Sequence, residues 1–247
     1  MVPNAGCMAI MAAIMAEQVF AGLGPDPVRL IIFDFDGTLS DSGEWFLTVI
    51  DQLAKRFGFR NVGRDEIELL RSRSSREVIR YLGIPPWKLP LIARHVRALV
   101  ARESDKIQLF PDTPRLLETL VSMGFKLAIV TSNAEANARA ILGPENAARI
   151  SWWECGSGLF GKARKFRRVL RRSGFAPHEA LAIGDETRDI EAAKRVGLRS
   201  AAVLWGYANR DALARFEPNL MFDDADAILK SVVAASHSAP NVVDVVK

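Results

Sequence analysis

The stretch Leu30-Ile31-Ile32-Phe33-Asp34-Phe35-Asp36-Gly37-Thr38-Leu39 decides the fold of this chain. Its apolar run, β-branched in the middle, predicts a strand that is buried on both faces. Such a strand does not hold unpaired carboxylates in its interior. Asp34 and Asp36 are therefore expected at its carboxyl end, where an α/β sheet forms its ligand crevice. Gly37 has no Cβ, so the chain can turn sharply there.

Asp34 and Asp36 are close enough to repel each other unless a cation or a shared proton intervenes. A divalent metal would relieve the repulsion and leave both carboxylates ionised. An ionised Asp can attack phosphorus, and a second Asp nearby can protonate the leaving oxygen. The alternative is a surface turn after a strand, where Asp and Gly are common.

The composition is typical of a globular protein. The 247 residues suffice for one large α/β domain or for a core with a smaller module. Hydrophobic residues make up 49% of the chain, and the formal net charge of +4 favours an anionic substrate without requiring nucleic acid. Cys7 and Cys155 form neither a metal-ligand spacing nor a disulfide framework. We therefore expect a cytoplasmic protein.

The two ends of the chain are expected to lie outside the folded core. Residues 1–27 form an apolar extension with no basic residue before Arg29, which disfavours a secretory signal. Glu17 interrupts the apolar run too early for a membrane span. We interpret this segment as a flexible extension, with a poor secretory signal as the alternative. Residues 236–247 are expected to form a frayed tail, and no membrane partner is expected.

Helical and strand patterns alternate along the rest of the chain. Residues 41–107 show helical periodicity without a strand signal, which predicts an all-helical cap inserted after the first strand. Thr113 is the expected N-cap of the first helix after the cap, and another helix is expected over residues 134–142. The alternation predicts an α/β fold, a Rossmann-like doubly wound parallel sheet, with residues 28–40 and 108–235 as its core. The later strands are expected at residues 125–130, 148–152, 180–183 and 200–204.

Polar residues follow three of the predicted strands. Because the carboxyl ends of parallel strands meet at one edge of a sheet, we expect these side chains to converge. This convergence is the main evidence in the sequence for an active site. The residues are, in chain order, Asp34, Asp36, Thr131, Ser132 and Asp185.

Phosphoryl transfer needs a nucleophile, a proton donor, positive charge and a metal. Asp34 is the candidate nucleophile, and Asp36 is the candidate general acid and base, with a backbone carbonyl that could ligate the metal. Lys162, near a helix start, can supply fixed positive charge. Asp185 and Asp189 can complete the metal site, and an all-oxygen ligand set with phosphate favours Mg²⁺.

Each of these assignments has a plainer alternative. Thr131 and Ser132 could cap the following helix, Lys162 could be one charge on a solvated basic helix, and Asp185 and Asp189 could be acids of a turn and a first helical turn. The agreement of order and placement with one chemistry favours the functional interpretation. The candidate substrate-binding residues are Thr131, Ser132, Asn133 and Gly37.

These motifs resemble those of the haloacid dehalogenase-like hydrolase superfamily, in particular its phosphoglycolate-phosphatase-like branch. The resemblance covers roughly residues 28–230 and implies the core and inserted helical cap described above. The matching motifs are Asp34-Phe35-Asp36-Gly37-Thr38, Val130-Thr131-Ser132-Asn133, Phe160-Gly161-Lys162-Ala163 and Gly184-Asp185-Glu186-Thr187-Arg188-Asp189.

The resemblance also implies a mechanism. It implies an aspartyl-phosphate intermediate on Asp34 and a Mg²⁺ ion held by Asp34, Asp36 and Asp185. Dehalogenases of the superfamily lack the acid two residues after the nucleophile, so the presence of Asp36 favours a phosphatase.

The leading hypothesis is a Mg²⁺-dependent phosphatase acting on a small phosphorylated metabolite, with phosphoglycolate as the nearest named candidate. One of Arg71, Arg73 and Arg76 in the cap could bind a substrate carboxylate, although a solvated helix face is the simpler interpretation. The alternatives are a phosphosugar mutase, a catalytically idle relative, and a nucleic-acid-binding protein using the basic helix at 162–172. That helix lacks an aromatic stacking platform, so no nucleic-acid partner is expected. A monomer or a homodimer is expected.

Overall fold

The structure is a computed structural model that describes residues 27–156 and 161–237, with side chains up to residue 232. Most of the predicted N-terminal extension and all but the first two residues of the predicted tail lie outside the described residues. So does Phe160, which opens the third motif.

Six parallel strands form the central sheet, with β1 and β6 in the middle and the order β5-β4-β1-β6-β7-β8. The strand β1 pairs with β4 on one side and with β6 on the other, so Ile32 lies between Ala128 and Ala182. The predicted doubly wound parallel sheet is thereby confirmed. The strands are β1 Leu30–Phe33, β2 Ser40–Asp41, β3 Gln108–Leu109, β4 Lys126–Val130, β5 Trp152–Glu154, β6 Ala180–Gly184, β7 Arg199–Val203 and β8 Leu220–Phe222.

Helices cover both faces of the sheet and fill the segment between β2 and β3. Four of them, α1 to α4, lie in that segment, and six follow β3. The helices are α1 Gly43–Phe57, α2 Ile67–Arg71, α3 Ser75–Tyr81, α4 Leu89–Glu103, α5 Thr113–Ser122, α6 Glu135–Ala148, α7 Lys162–Ser173, α8 Thr187–Lys194, α9 Arg210–Ala214 and α10 Ala225–His237.

Alternate residues of β1 enter two different hydrophobic clusters. Ile31 and Phe33 pack on the side of α5 and α10, whereas Leu30 and Ile32 pack on the side of α7. All four side chains are fully buried. A central parallel strand covered by helices on both faces has no solvent side, which explains why its sequence is continuously apolar.

The helices between β2 and β3 have a core of their own. In α1, Trp45, Val49 and Leu53 pack against Val100 of α4, and the Trp45 indole N–H donates to Glu103 Oε2 at 2.9 Å. The short antiparallel pair β2–β3 lies where the chain enters and leaves this segment. The division of the chain into a core and a cap at residues 41–107 stays a prediction.

Two local expectations were wrong, and one strand was not predicted. The strand expected at residues 148–152 begins only at Trp152, because the helix resumes after a break at Gly143, where φ is +75°, and runs to Ala148. Thr113 is the first residue of α5 rather than its N-cap, and its hydroxyl donates to the Leu39 carbonyl at 2.8 Å. The edge strand β8 was not predicted, because three residues are too few to show a strand period.

Candidate active site

The carboxyl ends of β4, β1 and β6 lie side by side and carry the polar residues of the site. Asp34 directly follows β1, and its N–H continues the sheet pairing by donating to the Ile183 carbonyl at 2.8 Å. The Asp34 side chain is buried. The sheet therefore holds the candidate nucleophile in a defined position beside the end of β6.

Three buried carboxylates form a cluster at this edge. Asp34, Asp185 and Asp189 each offer an oxygen atom, and these atoms lie within 4.8 Å of one another. Asp185 follows β6, and Asp189 lies one helical turn later in α8.

The electrostatics of this cluster favour a divalent cation. Burial raises the pKa of Asp185 well above its ordinary value, and the charges of Glu186 and Asp34 raise it further. Burial likewise raises the pKa of Asp189 to about 6, against the attraction of Lys162. Buried like charges with hard oxygen donors suit Mg²⁺, because the ion removes the repulsion that otherwise favours protonation.

Lys162 is the first residue of α7 and lies inside the acidic cluster. Its side chain is 4% exposed, its Nζ lies 2.5 Å from Asp34 Oδ2, and it also contacts Asp189 Oδ1. Burial alone would lower the pKa of Lys162, but the attraction of Asp189 and Asp34 outweighs it and the pKa is raised. Lys162 is therefore a fixed cation next to the candidate nucleophile, and the solvated-face interpretation does not describe it.

Asp36 lies beside the end of β4 rather than within the acidic cluster. Its Oδ1 accepts a hydrogen bond from Asn133 Nδ2 at 3.2 Å, and its Oδ2 accepts one from Thr131 Oγ1 at 3.4 Å. Burial raises the pKa of Asp36 to about 6, and the negative charge of Asp34 adds to this effect. A carboxyl that titrates near neutral pH can both give and take a proton during a reaction.

The loop after β4 does not cap the following helix through its hydroxyls. The N-cap of α6 is Ala134, without a side-chain cap. The hydroxyl of Thr131 accepts from the Asn133 N–H at 2.9 Å while donating to Asp36. The half-buried Ser132 follows it, and its carbonyl accepts from Arg97 of α4 at 3.3 Å. The Thr131 hydroxyl is therefore directed to Asp36 rather than to the first turn of α6.

Gly37 allows the turn after Asp36 to pack against Asp185. Its φ is +80°, and a Cβ there would collide with Asp185 Oδ2 and lie 2.8 Å from the Tyr207 ring. Its N–H donates to the Ser40 carbonyl at 2.9 Å within the turn. Gly37 thus serves the site by close packing, and its amide is already engaged.

Asp185 is held by Thr38 and Tyr207, neither of which was predicted as a site residue. The Thr38 hydroxyl donates to its Oδ1 at 2.7 Å, and the Tyr207 N–H donates to its Oδ2 at 2.8 Å. The Tyr207 hydroxyl shares a hydrogen bond with Ser42 at 2.7 Å. A Cβ at Gly206 would collide with Asp185. Tyr207, which follows β7, is therefore part of the wall of the crevice.

Two further charged residues were missed. Arg188 pairs with Glu186, and the charges of Glu186, Asp189 and Asp34 raise its pKa even though burial opposes this. Lys165 is 1% exposed and donates to two carbonyls near the site. Helical spacing could have identified Lys165 from the sequence, because it lies one turn after Lys162 and next to the inward-facing Phe166.

A cavity of about 440 Å³ lies between α3 and α8. The Ser75 hydroxyl donates to Glu186 Oε2 at 2.8 Å beside it and so joins α3 to the loop that follows β6. Arg76 borders the cavity and lies 3.9 Å from Glu191. Arg71 instead donates to the Gly206 carbonyl. The cavity is lined by Ser74, Ser75, Arg76, Glu77, Arg80, Thr187, Arg188, Glu191, Arg215 and Phe216.

Fold and site together define an α/β protein with an aspartate-rich centre at the carboxyl edge of a parallel sheet. The family model described as haloacid dehalogenase-like hydrolase matches residues 31–203. The chain belongs to this family, and the predicted resemblance is confirmed.

Curated relatives narrow the class to phosphatases. A phosphoglycolate phosphatase of Synechococcus elongatus is 32% identical over 206 residues, which cover 83% of this chain and 97% of the relative. One of Aquifex aeolicus is 28% identical over 184 residues, covering 73% and 86%. The enzyme class predicted from the sequence, a phosphatase of the haloacid dehalogenase type, is thereby confirmed.

Solved structures share the fold. A haloacid dehalogenase-like hydrolase of Streptococcus pneumoniae matches with a TM-score of 0.67 and 22% identity, over 82% of this chain and 97% of that one. The CbbY protein of Rhodobacter sphaeroides, solved with phosphate, matches with a TM-score of 0.60 and 24% identity, over 80% of this chain and 95% of that one.

Across residues 27–156 and 161–237, no helix is long and apolar enough to cross a membrane.

Proposed function

We propose that this chain is a Mg²⁺-dependent phosphatase that hydrolyses a small phosphomonoester through an aspartyl-phosphate on Asp34. One observation carries the proposal: Lys162 lies 2.5 Å from Asp34 within the buried acidic cluster and also contacts Asp189. The adjacent cation offsets the negative charge of an incoming phosphate. The similarity to phosphoglycolate phosphatases supports the same chemistry.

In the proposed reaction, a carboxylate oxygen of Asp34 attacks the phosphorus and the bond to the ester oxygen breaks. Asp36 gives its proton to that leaving oxygen, which departs as an alcohol. Water then attacks the phosphorus, Asp36 takes up a proton from it, and Asp34 is regenerated as inorganic phosphate leaves. The pKa of about 6 suits Asp36 to both proton transfers.

The residues proposed to hold Mg²⁺ are Asp34, Asp185 and Asp189 with the backbone carbonyl of Asp36. Their buried oxygen donors fit a hard divalent cation. When bound, the ion supplies positive charge that stabilises the phosphoryl group during transfer.

The proposed phosphate-binding loop comprises Thr131, Ser132 and Asn133. The Ser132 hydroxyl and N–H would donate to the phosphoryl oxygens that Lys162 and the metal do not reach, while the Thr131 and Asn133 N–H groups hold the loop in place. Gly37 takes part through the close approach that its missing Cβ allows.

The cavity between α3 and α8 suggests a substrate with a second anionic group. Four arginines line it, against two glutamates, so its net charge is positive. A carboxylate near the phosphate, as in phosphoglycolate, would suit that charge. We propose that residues 41–107 act as a cap that covers the site, that the protein acts in the cytoplasm on a small metabolite, and that it is a monomer or a homodimer.

The test is phosphate release from a panel of small phosphomonoesters, with and without Mg²⁺. The expected result is Mg²⁺-dependent release that Asp34→Asn abolishes, because the amide keeps the shape and removes the nucleophile. The matched control is Asp51→Asn, at an exposed position of α1, which should leave release unchanged. Interconversion of phosphosugar isomers without phosphate release would contradict hydrolysis and favour a mutase.

A further inference from the structure

Lys165 is a buried lysine for which the proposed reaction has no use. Its side chain is 1% exposed, although most basic residues of α7 are partly or fully exposed. Removing an ammonium group from water is costly unless its protons and charge are compensated. A lysine in such a place therefore needs partners that accept its N–H protons and compensate its charge.

The partners of Lys165 are two backbone carbonyls. Its Nζ donates to the Thr131 carbonyl, after β4, and to the Gly156 carbonyl, after β5. Backbone hydrogen bonds already join these two loops: Thr131 N–H to Glu154 at 3.2 Å, and Gly156 N–H to Asn133 at 2.6 Å. The side chain therefore adds a positive charge, with a pKa that burial lowers to about 8, to loops that the sheet already aligns.

The geometry of the peptide bond determines where the Ser132 N–H points. In a trans peptide, the carbonyl and the following N–H point to opposite sides. Lys165 lies on the carbonyl side of the peptide between Thr131 and Ser132, so the Ser132 N–H points away from it. Within the described part of the chain, this N–H makes no hydrogen bond.

We propose that Lys165 is a positioning residue that aims the Ser132 N–H at the phosphoryl group and strengthens it as a donor. This inference rests on the proposed phosphatase function. A cation bound to the carbonyl polarises the whole peptide, because hydrogen bonds in series reinforce one another. The oriented amide then stabilises negative charge on a phosphoryl oxygen in the way that preorganised backbone donors do.

The test compares Lys165→Met with Arg164→Met. Methionine is unbranched and apolar, and it adapts to a buried site while removing both the donors and the charge. Arg164 is the preceding residue of α7 and is exposed, so its variant removes the same charge from the same helix. The measurements are kcat, KM, the melting temperature, and the Kd of inorganic phosphate with Mg²⁺ by calorimetry.

We expect Lys165→Met to lower kcat about 10- to 100-fold, because small displacements of a catalytic donor have effects of that size. Its Kd for phosphate should rise on the order of tenfold. KM should change much less than kcat, whatever the leaving group of the substrate. Arg164→Met should behave as the wild type. Unchanged kcat and phosphate affinity, with only a lower melting temperature, would overturn the proposal.

A second variant and the phosphate affinity of the wild-type protein complete the test. If Lys165→Met does not fold, Lys165→Gln keeps a neutral donor on a shorter stem, and the same loss of phosphate affinity is expected. Phosphate affinity is independent of turnover. Wild-type protein that binds phosphate without hydrolysing any ester would contradict the proposed function alone, whereas wild-type protein that does not bind phosphate would contradict both.

Discussion

The absence of a side chain at Gly37 allows close packing against the acidic cluster. With φ at +80°, it lets the turn after β1 lie directly against Asp185, and a Cβ would meet Asp185 Oδ2 and the Tyr207 ring. Any larger residue at position 37 would therefore be unfavourable for two separate reasons. One is the left-handed backbone conformation, and the other is the collision with a proposed metal ligand.

Gly37→Ala should lower kcat/KM at least about 100-fold and weaken Mg²⁺ activation, because a displacement near 1 Å at a reacting group has effects of that size. The matched control is Gly174→Ala at the end of α7. Gly174 has a similar φ of +76°, but a Cβ there would meet nothing within 4 Å. It should cost only about 1 kcal/mol of unfolding free energy and leave activity intact. Equal effects of the two variants on activity would contradict the packing argument.

At the scale of the element, α3 brings Arg76 and Arg80 to the cavity, whereas Arg73, just before the helix, stacks elsewhere. The helix begins with a capping box, in which Ser74 Oγ accepts from the Glu77 N–H and the Glu77 carboxylate accepts from the Ser74 N–H. Its next residue, Ser75, joins Glu186 after β6. This orientation places Arg76 on the cavity, while the guanidinium of Arg73 lies 4.2 Å from the centre of the Tyr81 ring.

Arg76→Ala should raise KM for a carboxylated phosphomonoester about tenfold, which corresponds to roughly 1.4 kcal/mol. KM for an ester without the carboxylate should change little. Arg73→Ala, the control just before the same helix, should leave both KM values unchanged, because the stacking on Tyr81 contributes to stability alone. The measurement is KM for the two substrates with each variant. A larger change from Arg73→Ala would place the carboxylate elsewhere.

At the scale of the whole molecule, the buried carboxyl of Asp36 makes stability depend on pH. Burial raises the pKa of Asp36 from an ordinary 3.8 to about 6. Between these values the folded state binds the proton more tightly than the unfolded state. The contribution is therefore present at low pH and lost as the pH rises through about 6. A difference of about two pKa units corresponds to roughly 3 kcal/mol.

Metal-free wild-type protein should lose stability relative to Asp36→Asn as the pH rises from about 4 to about 7. The asparagine mimics the protonated carboxyl at every pH, so the difference between the two melting temperatures isolates this group. Mg²⁺ should raise the melting temperature of the wild type at neutral pH, because it binds the folded state. A difference that does not vary with pH would contradict the raised pKa of Asp36.

The sequence by itself determined the parallel sheet and the residues that meet at the carboxyl ends of its strands. It could do so because an apolar run buried on both faces, followed by carboxylates, permits few arrangements. Lys162, Asp185 and Asp189 were found in this way. The helical segment between β2 and β3 was also visible in its periodicity.

Only the tertiary structure decided what surrounds those residues. Lys165 is a charged residue that looks solvated in the sequence, and it is buried because its partners are carbonyls of the loops after β4 and β5. Tyr207 reaches Asp185 across 22 residues of chain through a backbone N–H, which carries no sequence signal at all. Local patterns record which face of an element is apolar, but contacts between loops depend on how the elements pack.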